Sequence, residues 1–260
     1  MELIFYKYQG AGNDFVILDN RAKNIELTVT QIHLLCDRKF GIGADGLMLL
    51  QTAEGYDFEM KYYNADGNEG SMCGNGGRCL VKFAYDCGIQ LSTYHFLASD
   101  GKHKAEIMGE KNWVNLKMKN VHEVTRANDD FILDTGSPHF VHPCEDVMGL
   151  DIVSEGKKIR YSKPFKEKGI NVNFVEQKEE DTIIVRTYER GVEDETSSCG
   201  TGVTASALIF AHNQNGFNHI DVITKGGNLA VEFNKIDDQT YKNIWLSGPA
   251  EFVFKGEITL

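Results

Sequence analysis

Two stretches decide how this chain folds: Met72-Cys73-Gly74-Asn75-Gly76-Gly77-Arg78-Cys79 and Ser198-Cys199-Gly200-Thr201-Gly202-Val203. Laid over one another at an offset of 126 residues, they open into an internal repeat. Residues 58–84 align with 184–210, pairing Tyr62 with Tyr188, Glu69 with Glu195, Ser71 with Ser197, Cys73 with Cys199, Gly74 with Gly200 and Gly76 with Gly202. At an offset of 125, Gly10-Ala11-Gly12-Asn13-Asp14-Phe15-Val16 matches Thr135-Gly136-Ser137-Pro138-His139-Phe140-Val141, and Ser99–Ala105 matches Thr224–Ala230. A repeat of this period means two copies of one structural unit. The first half is expected over 1–118, completed by a C-terminal strand within 249–260, and the second over 119–248, the two related by a pseudo-twofold axis.

Around these stretches the local signals are mostly those of strands. Phe58–Tyr63, Thr182–Tyr188 and Leu229–Phe233 have the length and the aromatic or β-branched content of strands, and the 26 glycines fall in short clusters between such runs. Thr28-Val29-Thr30-Gln31 can form a capping box for an early helix, which Gly41 is expected to close after Phe40. Past Cys199, Val203, Ala205, Ala207, Leu208, Ile209, Phe210 and Ala211 leave almost no polar face. A helix apolar all round must be buried in its own domain. The expected fold is therefore α+β, with two pseudo-symmetric domains, each a curved, largely antiparallel sheet wrapped around one central helix that carries a cysteine at its N-terminus. Glu251–Lys255 is expected to return as a strand to the first domain.

Composition narrows the partner. Among 260 residues, 27 Lys and Arg against 38 Asp and Glu give a net charge of −11. Nucleic acids and anionic membranes call for a basic footprint, so neither is expected and a small-molecule substrate is. The N-terminus lacks the features of a signal peptide and no apolar run approaches the ~20 residues of a membrane span, which places the protein in the cytoplasm. Six scattered cysteines without a Cys-x-x-Cys spacing point to reduced thiols and against zinc. Gly41-Ile42-Gly43-Ala44-Asp45-Gly46 fits the dinucleotide glycine pattern formally, but it follows a helix and precedes a strand, the reverse of that context.

A cysteine at a helix N-terminus meets unpaired N–H groups and a partial positive charge, which stabilise its thiolate. The same donors suit a carboxylate. If the halves face one another, Cys73 and Cys199 flank one pocket, with the amides of Gly74, Asn75, Gly200 and Thr201 beside them. Two acid/base groups on opposite faces of a carbon are what inversion of a stereocentre requires. The enediolate charge would be stabilised by the two helix N-termini. No cofactor and no metal are needed.

These residues resemble the diaminopimelate epimerases. The resemblance rests on Gly12–Val16, Gly41–Gly46, Asn64-Ala65-Asp66-Gly67-Asn68-Glu69, Cys73–Cys79, Tyr188-Glu189-Arg190-Gly191, Ser198–Gly202 and Ser247-Gly248-Pro249-Ala250. It implies a diaminopimelate epimerase-like fold and a pyridoxal phosphate-independent isomerase that interconverts LL- and meso-diaminopimelate for lysine and peptidoglycan precursor synthesis. Cys73 and Cys199 would be the base and acid pair. Gly74, Asn75, Gly200 and Thr201 would hold the reacting centre, and Asn13, Asn64, Asn173, Glu189 and Arg190 the rest of the substrate, with Arg190 on the distal carboxylate. His139 is expected behind a catalytic thiol, and the resemblance implies a homodimer. Two positions depart from the pattern: Ser137 stands where the family often has Asn, and Gly46 where many members have Gln. Other readings stay open: a proline-racemase-like or phenazine-pathway-like isomerase, a thiol-redox protein, and an amino-acid-binding module.

Overall fold

The structure, a computed structural model, describes residues 1–70, 72–108 and 113–260. Ser71, which the repeat pairs with Ser197, lies outside the described residues. The chain begins with β1 (Glu2–Gly10), β2 (Asn13–Asp19), α1 (Val29–Cys36), β3 (Gly46–Gln51), β4 (Phe58–Asn64), α2 (Gly74–Asp86), β5 (Thr93–Ala98), β6 (Gly101–Met108) and β7 (Trp113–Lys117). It continues with β8 (Val124–Ala127), β9 (Asp130–Asp134), β10 (Pro138–Pro143), α3 (Ile152–Arg160), β11 (Asn171–Glu179), β12 (Thr182–Glu189), β13 (Asp194–Thr196), α4 (Gly200–Ile209), β14 (Gly216–Thr224), β15 (Gly227–Lys235), β16 (Tyr241–Pro249) and β17 (Glu251–Thr259). Two compact units result, Met1–Leu116 with Gly248–Leu260, and Lys117–Ser247.

In the first unit β1 pairs antiparallel with both β17 and β2, and β3–β4, β5–β6 and β6–β7 are antiparallel. β2–β3 and β4–β5 are parallel. Parallel neighbours need a crossover, and α1 and α2 supply the two. α2 packs against β1, β2, β3, β6 and β17, and its Leu80, Val81, Phe83 and Ala84 are fully buried. Rings of Tyr6 and Tyr8 lie 4.8 and 5.7 Å from Phe83. Around α1 a second cluster gathers Val16, Leu18, Ile32, Leu35, Leu47 and Leu49.

The capping box of α1 forms, with Thr28 and Gln31 exchanging side-chain bonds. Its other end differs from expectation. The helix stops at Cys36 because the Asp37 carboxylate accepts from the amides of Lys39, at 2.7 Å, and Phe40, at 2.8 Å, turning them out of the helical ladder. Gly41 lies beyond this turn, where a Cβ would sit 1.8 Å from the Leu34 carbonyl.

The second unit repeats the plan. β10–β11 and β12–β14 are parallel, connected through α3 and α4, while β8–β9, β9–β10, β11–β12, β12–β13, β14–β15 and β15–β16 are antiparallel. α4 packs against β9, β10, β11, β12, β14 and β15. Every residue from Gly202 to Leu208 is buried, and the two hydroxyls within that run are satisfied by the helix itself, Thr204 on Gly200 O and Ser206 on Gly202 O. α3 packs on β11 and β12 over Phe140, Ile152, Ile170, Val172, Phe174 and Tyr188. Among the described residues no helix is long and apolar enough to cross a membrane.

Candidate active site

Each unit places its cysteine at the same point of its central helix. Cys73 is the N-cap of α2 and Cys199 the N-cap of α4, both with extended backbone, φ −92° and ψ 128° against φ −111° and ψ 110°. Each cysteine carbonyl accepts the first helical bond, from Gly77 at 2.7 Å and from Val203 at 2.8 Å. The N–H groups of Gly74, Asn75, Gly200 and Thr201 come before those bonds and have no acceptor within their helices, so each terminus presents a positive end with a thiol on it. All six cysteines are free thiols. Cys199 is buried and Cys73 half-buried. Burial pushes the buried thiols of Cys36 and Cys79 up, to about 11 and about 12, which leaves them protonated and inert at neutral pH.

In the first unit the strand that begins at Asn13 brings this residue to the helix. Asn75 Nδ2 donates to Asn13 Oδ1, and Asn13 Nδ2 donates to Asp45 Oδ2 at 3.0 Å. Behind them Asp14 is gripped by Lys7, 2.8 Å away, and by Arg38, 2.6 Å away. Burial raises the Asp14 pKa, but the bonds from Arg38 and Lys7 outweigh it and hold the carboxyl down to about 2. Asn64 is exposed at the end of β4, where Asn64, Asp66, Gly67 and Asn68 close a tight turn: Gly67 N donates to Asn64 O and Asp66 Oδ1 accepts from Asn68 N, both at 2.9 Å. Gly67 takes φ +89°, a conformation that suits glycine.

In the second unit a chain of side chains leads to the thiol. Thr187 Oγ1 donates to Asn173 Oδ1 at 3.0 Å, and Asn173 Nδ2 donates to the Phe140 carbonyl at 3.0 Å and to His139 Nδ1 at 3.1 Å. His139 Nε2 lies 2.9 Å from Thr201 Oγ1, which lies 3.5 Å from Cys199 Sγ. Burial pushes the His139 pKa down to about 3, so the ring is neutral at ordinary pH. His139 thus stands behind the Cys199 thiol, one residue removed from it.

Asn173, expected among the residues that hold the rest of the substrate, faces the interior of its unit. That side chain is fully buried and engaged with His139, Phe140 and Thr187. Asn171, two residues earlier on β11 and not singled out from the sequence, instead joins the distal-binding candidates. Its Nδ2 donates to Ser137 Oγ at 2.9 Å and its Oδ1 accepts from the Arg190 amide at 2.9 Å. The Arg190 guanidinium is exposed and rests on uncharged acceptors, Lys168 O at 3.0 Å and Ser137 Oγ at 3.3 Å. Ser137 therefore holds Arg190 directly. Glu189 is half-buried at the end of β12, beside Arg190 in sequence. Among the described residues no group of three or more His, Cys, Asp or Glu is placed to hold a metal ion.

Comparison with known proteins follows the same two-unit division. The diaminopimelate epimerase family model matches residues 5–124 and again 131–253. Diaminopimelate epimerase of Flavobacterium psychrophilum is 49% identical over 255 residues, covering 97% of this chain and 99% of that protein. The enzyme of the same name from Chlorobaculum tepidum is 44% identical, covering 96% and 99%. Among solved structures, a phenazine biosynthesis protein of the PhzF family from Bacillus anthracis matches with a TM-score of 0.75 over 100% of both chains at 14% identity. A probable proline racemase from Agrobacterium radiobacter matches at 0.69 over 99% of this chain and 93% of that one, at 15% identity. These two likenesses concern the fold alone. The sequence relatives go further, and on them this chain belongs to the diaminopimelate epimerase family.

Proposed function

We propose that this protein interconverts LL- and meso-diaminopimelate without a cofactor, with Cys73 and Cys199 exchanging the roles of base and acid according to direction. One observation carries the reading: in two copies of one structural unit, the residue that caps the buried helix is a cysteine. In the forward step one thiolate takes the α-proton. The electron pair of the broken C–H bond passes into the carboxylate as an enediolate, and the other cysteine's S–H gives its proton to the opposite face. Atoms and charge balance with no redox change. The N–H groups at Gly74, Asn75, Gly200 and Thr201 receive the charge that develops on the carboxylate oxygens. The exposed Arg190 guanidinium, held by Ser137 and by the Lys168 carbonyl, takes the distal carboxylate in a two-pronged bond. Asn13 and Asn75 orient the amino acid near Cys73, and Asn64 and Glu189 complete the grip. Asn173 serves the site through His139.

Proton NMR in D2O tests this. Reduced protein incubated with either isomer should remove one α-proton signal as the isomers interconvert, and Cys73→Ala or Cys199→Ala should abolish both changes. A folded, reduced sample that exchanges no α-proton overturns the proposal.

A further inference from the structure

α2 is buried along nearly its whole length, yet its second turn contains a guanidinium. Arg78 is fully buried, and among the described residues no carboxylate lies within ion-pair distance of it. Its Nη2 donates to Asn75 Oδ1 at 2.7 Å and its Nη1 to Gly74 O at 3.4 Å, while its Nε has no partner. Burying a charge on neutral acceptors alone is costly, so an arginine serving only to fill space is a poor explanation. Its two acceptors are the two residues that follow Cys73. Burial pushes the guanidinium down to about 10, while the nearby sulfurs of Cys79 and Cys73 act the other way.

From Arg78 the bonds continue in one direction. Arg78 has only donors, so Asn75 must turn its Oδ1 toward it, which sends Asn75 Nδ2 to Asn13. Asn13 must then offer Oδ1 to Asn75, which sends its own Nδ2 to Asp45 Oδ2. Asp45 as a carboxylate has only acceptors, and Arg38 holds it at 2.8 Å through Oδ1. With a donor-only group at one end and an acceptor-only group at the other, a single orientation of both amides satisfies these three bonds. An amide without such neighbours can exchange its oxygen and nitrogen by a half-turn.

We propose that Arg78 and Asp45 are positioning residues which together fix the orientation of the Asn75–Asn13 amide pair beside Cys73, and so decide where the site offers N–H and C=O groups to a bound amino acid. The proposal rests on the substrate-binding role given above to those two asparagines.

The test compares Arg78→Gln, Arg78→Lys, Asp45→Asn, the Arg78→Gln/Asp45→Asn double variant and Asn13→Ala, by steady-state kinetics with LL-diaminopimelate and by NMR of side-chain amides in 15N-labelled protein. Asp45 is partly exposed, so its variant keeps the proposal testable if Arg78→Gln fails to fold. Arg78→Gln and Asp45→Asn should each raise KM about 10-fold with little change in kcat, the pattern of lost ground-state contacts. The double variant should lose no more than the more impaired of the two single variants, because either change releases the same chain. Arg78→Lys, still donor-only, should recover most of the loss. In Arg78→Gln the amide resonances of Asn13 should move although the hydrogen bonds of Arg78 go to Gly74 and Asn75. Additive losses in the double variant, or Asn13 resonances that stay in place, overturn the proposal. An unchanged KM in Asn13→Ala removes instead the substrate role of Asn13, and the resonances still report whether the chain exists.

Discussion

His139 Nε2 lies 2.9 Å from Thr201 Oγ1, and the direction of this bond is set from the far side of the ring. Asn173 presents Nδ2 to the ring, because its Oδ1 is taken by Thr187 and its Nδ2 also serves the Phe140 carbonyl. His139 Nδ1 is therefore the acceptor, and Nε2 bears the proton. Thr201 Oγ1 accepts that proton's hydrogen bond, which leaves its own hydrogen available to the sulfur 3.5 Å away. A neutral, fully buried imidazole thus stands behind the hydroxyl that contacts the Cys199 sulfur. In the first unit the corresponding helix residue, Asn75, likewise reaches through its side chain to the start of a strand, at Asn13.

Thr201→Val keeps the shape of the side chain and removes the hydroxyl. A hydrogen bond to a charged group is worth about 1.5–3 kcal/mol, so kcat should fall by about 10- to 100-fold. The acid limb of the pH–rate profile should move upward as the thiolate loses its donor. Thr201→Ser should restore both. A Thr201→Val enzyme with wild-type kcat and an unmoved profile would show that the hydroxyl does not serve the sulfur.

His139 also gives the fold a pH dependence of definite sign. Its folded pKa is held down to about 3 by burial, while in the unfolded chain it returns to about 6.5. Between those values the unfolded state binds the extra proton, so stability is retained above about pH 6.5 and lost as pH falls toward 3. The loss from this one group is about 1.4 kcal/mol per pH unit within the window. Urea unfolding at pH 7 and pH 5 should show wild type losing more stability than His139→Gln. Equal losses would mean that the imidazole is not buried as a neutral ring.

Gly202 marks how closely α4 approaches this chain. A Cβ there would lie 2.3 Å from Asn173 Oδ1 and 3.3 Å from His139 Cε1. Gly202→Ala must displace the Asn173 amide and with it the ring. It should cost about 1–3 kcal/mol of stability, the usual range for overpacking, and lower kcat with it. Thermal melts and kinetics on one preparation check both. A variant that melts and turns over as wild type does would show that Asn173 moves aside freely.

The features legible in the sequence were those with a period or a local signature. The cysteine repeat identified the two helix N-termini, the Thr28–Gln31 box identified the start of α1, and Thr182–Tyr188 appears within β12. The turn between β11 and β12 is confined to Glu180 and Asp181, because Gln177 and Glu179 still pair with β12. What stayed hidden depends on neighbours distant in the chain. Gly46 reads as a missing glutamine until its surroundings are seen: a Cβ there would meet Tyr62 Cε2 at 2.6 Å and Tyr63 O at 2.7 Å, both from the adjoining strand. The end of α1 was misplaced because one carboxylate, Asp37, competes with the helix for two amides.

Asn171 and Asn173 show the same limit within three residues, and their difference can be measured. Side chains two apart on a strand share a face, so the pattern alone does not say which asparagine serves the substrate. Parallel pairing with β10 sets Asn171 opposite His139 and Asn173 opposite Val141. From there Asn171 reaches Ser137 and the Arg190 amide, whereas Asn173 reaches the far side of the imidazole. Asn171→Ala should loosen the residues that hold Arg190, so KM should rise about 10-fold with kcat nearly intact, as expected when uniform binding is lost. Asn173→Ala leaves His139 Nδ1 without its donor, so kcat should fall and the pH profile shift while KM changes little. Reversed effects, with Asn173→Ala acting on KM and Asn171→Ala on kcat, would return the substrate contact to Asn173 and remove it from the relay to Cys199.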